Sequence, residues 1–254
     1  MHLAFVGKGG AGKSVIAGTL ARVLARRGHR VLALDSDMLP GLTLSLGAEA
    51  PPMPPLLDAA ERDEDGRWRL KRGIGPVRAV QRYSTGAPDG IRLLQAGKVG
   101  PDGLPPIMPA LRAYYQVVHR LARARAFSEW AVVGDLPGGP RQAAFDWAPY
   151  AKTFVLVVEP TSQSLLAARR IARVVAQRPR GAVTLVANKV RADADVARIE
   201  EFLGIPAAVV VPADDAVAAA ERCGGALLER APGSPAVAAV EGLAELLERS
   251  RLQS

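Results

Sequence analysis

Residues 7–14 read Gly7-Lys8-Gly9-Gly10-Ala11-Gly12-Lys13-Ser14 and follow directly on the apolar run Leu3-Ala4-Phe5-Val6. The spacing is G-x-x-x-x-G-K-S/T, and from Val15 onward apolar side chains recur at three- and four-residue intervals, as a helix requires. Glycines in such a turn let successive backbone N–H groups point inward at phosphate oxygens, and the helix N-terminus adds its positive dipole end. Gly7, Gly9, Gly10, Ala11, Gly12, Lys13, Ser14 and Val15 therefore form a candidate polyphosphate cradle. Lys13 is directed at the β- and γ-phosphates and the Ser14 hydroxyl at Mg²⁺.

The strand–turn–helix alternation continues along the chain. Short β-branched runs recur at 3–6, 31–34, 91–94, 130–133, 154–158, 183–187 and 208–211. Helical periodicity fills 14–27, 106–126, 162–176, 195–203 and 235–250. Strands apolar on both faces imply a parallel sheet covered on each side. The expected fold class is α/β, a doubly wound, mostly parallel sheet flanked by helices, with ligands beyond the carboxyl ends of the strands. A length of 254 residues suits one such domain over 1–254. Apolar residues at 49% and charged residues at 23% exclude disorder, collagen and coiled coil, and 5% aromatics leave a core of Ala, Val and Leu.

Two segments break the pattern. Residues 48–84 carry Pro51, Pro52, Pro54 and Pro55, then the charged turn Glu61-Arg62-Asp63-Glu64-Asp65-Gly66. This segment is expected to be a rim insertion, with 68–72 and 77–80 as short edge strands. Residues 97–109 are rich in Gly and Pro without a period, which suits a mobile or partner-facing loop.

The net charge of +8, from 33 Lys+Arg against 25 Asp+Glu, favours acidic partners, although the arginines are spread over several helices. The single cysteine, Cys223, excludes an intramolecular disulfide and a Cys-pair metal site, and His2, His29 and His119 are scattered, so no structural metal is expected. No apolar run approaches the ~18 residues of a membrane span. The first strand runs straight into the glycine loop, unlike a signal peptide, and a cytoplasmic location is expected.

A second lysine at the start of the loop, within Lys8-Gly9-Gly10-Ala11-Gly12-Lys13, is the deviant Walker A form. Here the chain resembles the SIMIBI-class ATPases: the MinD/ParA positioning proteins, the arsenite-pump and tail-anchored-protein targeting ATPases, and the CooC-type nickel-insertion ATPases. The resemblance implies a P-loop NTPase fold, ATP/ADP and Mg²⁺ as cofactors, and an ATP-dependent homodimer in which Lys8 reaches the partner's nucleotide.

After the second strand comes Asp35-Ser36-Asp37. A strand-end carboxylate beside the phosphate loop suits Mg²⁺, so Asp35 is a candidate metal-side residue. The resemblance assigns Asp37 to the attacking water, which makes Lys8, Lys13 and Asp37 the candidate catalytic set. Asp135-Leu136-Pro137-Gly138-Gly139 matches the family's switch II position, with Asp135 on the metal side and a Gly138 or Gly139 N–H near the γ-phosphate. Asn188-Lys189 stands where this class places its base-recognition pair, and Asn188 both donates and accepts. GTPases carry an Asp two residues after the Lys; Arg191 stands there and offers no acceptor to guanine, which favours adenine. Pro212 and Asp214 resemble the family's adenine-lining segment.

The branch closest in pattern is the CooC type, yet 97–109 lacks its Cys-x-Cys metal pair, so nucleotide chemistry carries over and metal delivery does not. The C-terminal helix, with Glu241, Glu245 and Glu248, reads as docked and not as a membrane anchor. Arg169, Arg170, Arg173, Arg178 and Arg180 form a candidate basic face for DNA, the alternative being a ParA-like, nucleotide-gated DNA-binding positioning protein. The client protein is not named by any motif.

Overall fold

Alternation of side chains along β1 (His2–Gly7) sends Leu3 and Phe5 into one core and Ala4 and Val6 into another, which demands helices on both faces. The computed structural model describes residues 1–39, 41–98, 103, 105–139, 147–178 and 181–252. β1 lies between β7 (Ala131–Asp135) and β8 (Thr153–Val158), parallel to both. Beyond β7 come β2 (Val31–Asp35), β6 (Ile91–Gln95) and the antiparallel β5 (Thr85–Ala87). Beyond β8 come β9 (Ala182–Val190) and β10 (Val209–Pro212), so the order is β10-β9-β8-β1-β7-β2-β6-β5. All seven strands expected from the sequence are present, with shifted ends. The sheet is mostly parallel, as the apolar runs imply.

On the Phe5 face pack α1 (Lys13–Arg26), α8 (Leu227–Arg230) and α9 (Pro235–Leu252). On the other lie α4 (Met108–Leu121), α5 (Ser162–Ala176) and α6 (Asp193–Leu203). The C-terminal helix α9 buries Val237, Val240, Leu243 and Leu247, so its apolar face is already covered by the core. Arg22, itself buried in α1, ties that helix to Asp89 at 2.6 Å and to Glu229 of α8 at 2.5 Å.

In the proline-rich segment, β3 (Ala60–Arg62) and β4 (Trp68–Leu70) pair antiparallel as a separate ribbon, with the Leu70 N–H on the Gln116 side-chain oxygen of α4. The expectation of edge strands needs correcting here. The first run joins this ribbon and not the main sheet, and 77–80 lies in the helix α3 (Pro76–Tyr83). Pro76 occupies its first turn, where a missing N–H costs nothing, and Ala79 and Val80 are its buried residues. Of the 97–109 loop, residues 99–102 and 104 lie outside the described residues, as does Pro40 beside the Asp37 turn.

Candidate nucleotide site

Strand register builds the polar floor of the site. Gln95, Asp35 and Asp135 are successive Cα partners across β6, β2 and β7, at the carboxyl ends of parallel strands, so the two carboxylates sit side by side. Both are buried. Burial foremost, then the neighbouring Asp135 charge, pushes the Asp35 carboxyl up to about 7, against the pull of its Thr43 bonds. Burial likewise raises Asp135 to about 6, against the pull of the Ser14 hydrogen bond and the Lys13 ammonium.

The two carboxylates have different partners. Asp35 accepts from the Thr43 N–H at 3.2 Å and the Thr43 hydroxyl at 2.8 Å, both from the short helix α2 (Gly41–Ser45). The Gln95 amide donates to the same hydroxyl at 2.7 Å. Asp35 is thus tied to α2. Asp135 instead accepts from the Ser14 hydroxyl at 2.5 Å through Oδ2, and its buried Oδ1 has no partner among the described residues.

The phosphate loop closes over this floor. Lys13 is buried and donates to the Lys8 carbonyl oxygen at 3.2 Å, and burial lowers its pKa against the opposing pull of Asp135 and Asp37. Gly12 has φ 92°, and a Cβ there would lie 2.3 Å from Asn188 Nδ2, so no other residue fits. A Cβ on Gly138 would meet the Gly9 nitrogen at 2.6 Å, while the Gly139 N–H donates to the Gly7 carbonyl at 3.0 Å. The segment after β7 therefore lies directly on the loop.

Beside the loop opens a pocket of about 460 Å³, lined by Gly10, Gly12, Lys13, Ser14 and Val15 on one side and by Asn188, Lys189, Arg191, Pro212 and Asp214 on the other. Its size lies in the range of small-molecule sites. Asn188 is buried and donates to the Ala11 carbonyl at 2.7 Å, so part of its amide works as a strut to the loop. Lys189 sits at the ladder irregularity between β9 and β10, where Val211 pairs with Asn188 and Pro212 with Val190. Its φ of 58° turns the side chain to the Gly10 carbonyl at 2.6 Å and to Glu159 at 3.1 Å. Asp214 lines the pocket but spends its carboxylate on backbone: Oδ1 accepts from Ala216 N–H at 2.9 Å, capping α7 (Asp215–Arg222), and Oδ2 from Ala236 N–H at 3.1 Å in α9. Burial opposes ionisation, but the Ala236 and Ala216 N–H groups outweigh it and hold the Asp214 pKa below its usual value.

Asp37 stands apart from this pocket. Its carboxylate accepts from the Leu39 N–H at 3.2 Å and lines a small cavity of about 40 Å³ with Asp35, Gln95, Pro54 and Lys98. Lys8 lies against its own chain, on Glu159 at 3.2 Å. Glu159 is a site residue the sequence reading did not single out; the only local signal was a carboxylate at the carboxyl end of a buried strand.

Among the described residues no group of three or more His, Cys, Asp or Glu could hold a metal. The Ser14 hydroxyl and the orphaned Asp135 Oδ1 fit Mg²⁺, a hard cation bound by few protein oxygens with the remaining positions left to phosphate and water. In the basic face, Arg169 stacks over Phe202 at 4.5 Å and Arg178 over Phe154 at 5.0 Å. Arg170 and Arg173 are exposed, and Arg180 lies outside the described residues.

A pH dependence follows from the carboxylate pair. Both folded-state pKa values lie above the ordinary carboxylate value, so the folded chain takes up protons that the unfolded chain releases. The resulting stability is full below about pH 4 and lost as pH rises through 6 and 7. In magnesium-free buffer the melting temperature is expected to be higher at pH 5.5 than at pH 8, and Asp35→Asn should flatten that slope. A wild-type melting temperature that falls steadily from pH 8 to pH 5.5 would contradict the assignment.

Residues 3–225 match the CobQ/CobB/MinD/ParA nucleotide binding domain. The chain is 27% identical to the carbon monoxide dehydrogenase accessory protein CooC of Rhodospirillum rubrum over 241 residues, 88% of each chain. In fold it is similar to the cell division ATPase MinD of Pyrococcus furiosus, with TM-score 0.73, 22% identity and 98% of each chain covered. It is also similar to the septum site-determining protein MinD of Pyrococcus horikoshii complexed with Mg-ADP, with TM-score 0.67, 17% identity, and 98% and 96% covered. With the family match spanning 3–225 and the fold shared with these structures, the chain belongs to the CobQ/CobB/MinD/ParA family of nucleotide-binding domains, within the SIMIBI class of P-loop ATPases.

Proposed function

We propose that this protein is a Mg²⁺-dependent ATPase that works as a dimerisation switch for a client or maturation system. The observation that carries the proposal is the Ser14–Asp135 pair, whose orphaned buried oxygen lies in the same polar cluster as the desolvated Lys13 ammonium. In this reading 1–254 is one ATPase domain in the cytoplasm, with 48–84 as its rim insertion.

Ser14 and Asp135 would hold Mg²⁺, with Asp35 as a further metal-side carboxylate, and the ion would supply positive charge against a polyphosphate. Lys13 exchanges the Lys8 carbonyl for a phosphate oxygen. Asp37 orients the attacking water and takes its proton, and the Gly138 N–H reports the γ-phosphate. Asn188, Lys189 and Pro212 wall the base, Asp214 fixes that wall through its backbone bonds, and Arg191 leaves guanine without an acceptor. Lys8 reaches across to the partner's nucleotide. Most of the rate acceleration is electrostatic, from Lys13, Lys8, the metal and loop N–H groups. Turnover is slow until the partner arrives.

Sedimentation velocity tests this reading. The wild type is expected to dimerise with Mg-ATP and to stay monomeric with Mg-ADP, and Lys8→Ala should bind ATP yet remain monomeric. A wild type that is monomeric with both nucleotides sinks the switch. In the DNA-binding alternative Arg169, Arg170 and Arg173 are exposed, with Arg169 and Arg178 stacked on aromatic rings, and nothing in the nucleotide site favours it.

A further inference from the structure

We propose that Glu159 is a positioning residue that holds Lys8 and Lys189 against the protein's own surface in the nucleotide-free chain, and that a bound triphosphate must take Lys8 away from it. The proposal rests on the nucleotide site described above and on Lys8 acting at the phosphate end.

Glu159 follows β8 directly and is 8% exposed. Its backbone N–H donates to the Ser164 hydroxyl at 3.2 Å, and the Thr161 hydroxyl donates to its Oε1 at 3.3 Å, so the carboxylate is held in place by α5 and its cap. Oε1 also accepts from Lys8 at 3.2 Å and Oε2 from Lys189 at 3.1 Å. Lys189 completes the span by donating to the Gly10 carbonyl. One carboxylate thus bridges the first lysine of the phosphate loop and the lysine that walls the base pocket.

The left-handed backbone at Lys189 supports a functional reading. A non-glycine residue rarely adopts that region, and here it aims the ammonium at Glu159 and Gly10. Two ammonium groups share one carboxylate, which leaves the loop one positive charge in excess before Lys13 is counted. The lysine side chains are 32% and 49% exposed, and ion pairs at such exposure contribute little. A polyphosphate offers Lys8 several anionic oxygens against the single charge of the Glu159 carboxylate, so it can draw Lys8 away.

Glu159→Gln keeps the side-chain shape and removes the charge. Two quantities are read: the affinity for ATP and for ADP by calorimetry, and the labelling of Lys8 by an amine-selective acetylating reagent, followed by mass spectrometry, without nucleotide. We expect ATP affinity to tighten by about fivefold, ADP affinity to change less, and Lys8 labelling to rise severalfold. In Lys8→Ala the tightening caused by Glu159→Gln should vanish, because the two changes act through one contact. Glu159→Asp, which keeps the charge but not the reach to both lysines, should fall between and serves if Glu159→Gln does not fold. Unchanged Lys8 labelling, or an ATP affinity that stays equal or weakens in Glu159→Gln, overturns the proposal. A wild type that binds no ATP overturns the nucleotide reading instead, while the labelling still decides whether Glu159 restrains Lys8.

Discussion

Lys13→Ala is expected to lower ATP affinity by about 100-fold, equivalent to about 2.7 kcal/mol. The ammonium is buried, and its hydrogen bond in the structure goes to a carbonyl of its own loop, which a phosphate oxygen replaces with a stronger, charge-assisted bond. Burial lowers its pKa, and the Asp135 and Asp37 charges oppose that shift. The same burial makes the ligand-free stability of the variant instructive. Removing a desolvated cation relieves a cost, so the melting temperature without nucleotide should hold or rise, while the increase produced by Mg-ATP disappears. Calorimetry and thermal melts report both effects. An Ala variant that binds ATP as tightly as the wild type would show that the turn at 7–14 is not the phosphate site.

Asp37→Asn should reduce ATP hydrolysis by about 10²–10⁴-fold, the usual contribution of a positioned acid or base, and change ATP affinity by less than about threefold. Asp37 sits two residues beyond the β2 carboxylate, on a turn fixed by its own bond to the Leu39 N–H, and it does not line the large pocket. Its charge is nevertheless felt by both Lys13 and Asp135. The cavity of about 40 Å³ beside it has room for one water, whose share of liquid volume is about 30 Å³. Single-turnover phosphate release, compared with binding on the same preparation, separates the two effects. The ATP-bound dimer should also persist in this variant, making it the form with which to capture the client. Phosphate release at the wild-type rate would remove Asp37 from the reaction.

The parts of the site legible in the sequence are those whose geometry is local. Eight contiguous residues specify the phosphate loop, because the glycine turn and the helix N-terminus are both made within that stretch. Asp35 and Asp135 each end an apolar run, and parallel strands deliver such ends to one edge, while the roles of Asp37 and Gly138 came from the resemblance alone. The 77–80 run misled because four residues show no decisive period, and Pro76 together with burial against α4 selected a helix.

What only the tertiary structure decided is which side chains meet across the strands. The row of Gln95, Asp35 and Asp135 exists because β6, β2 and β7 are neighbours in one register, although they are far apart in the chain. That register turned Asp35 to Thr43 and left Asp135 with the free oxygen. The Glu159 bridge needs β1, β8 and β9 side by side, and the Asp214 cap needs α9 folded back on β10. Periodicity and turn chemistry act between neighbours in the chain and so fix element type and local loops. Strand order and register are set by the packing of the whole core, and they assign each polar group its partner.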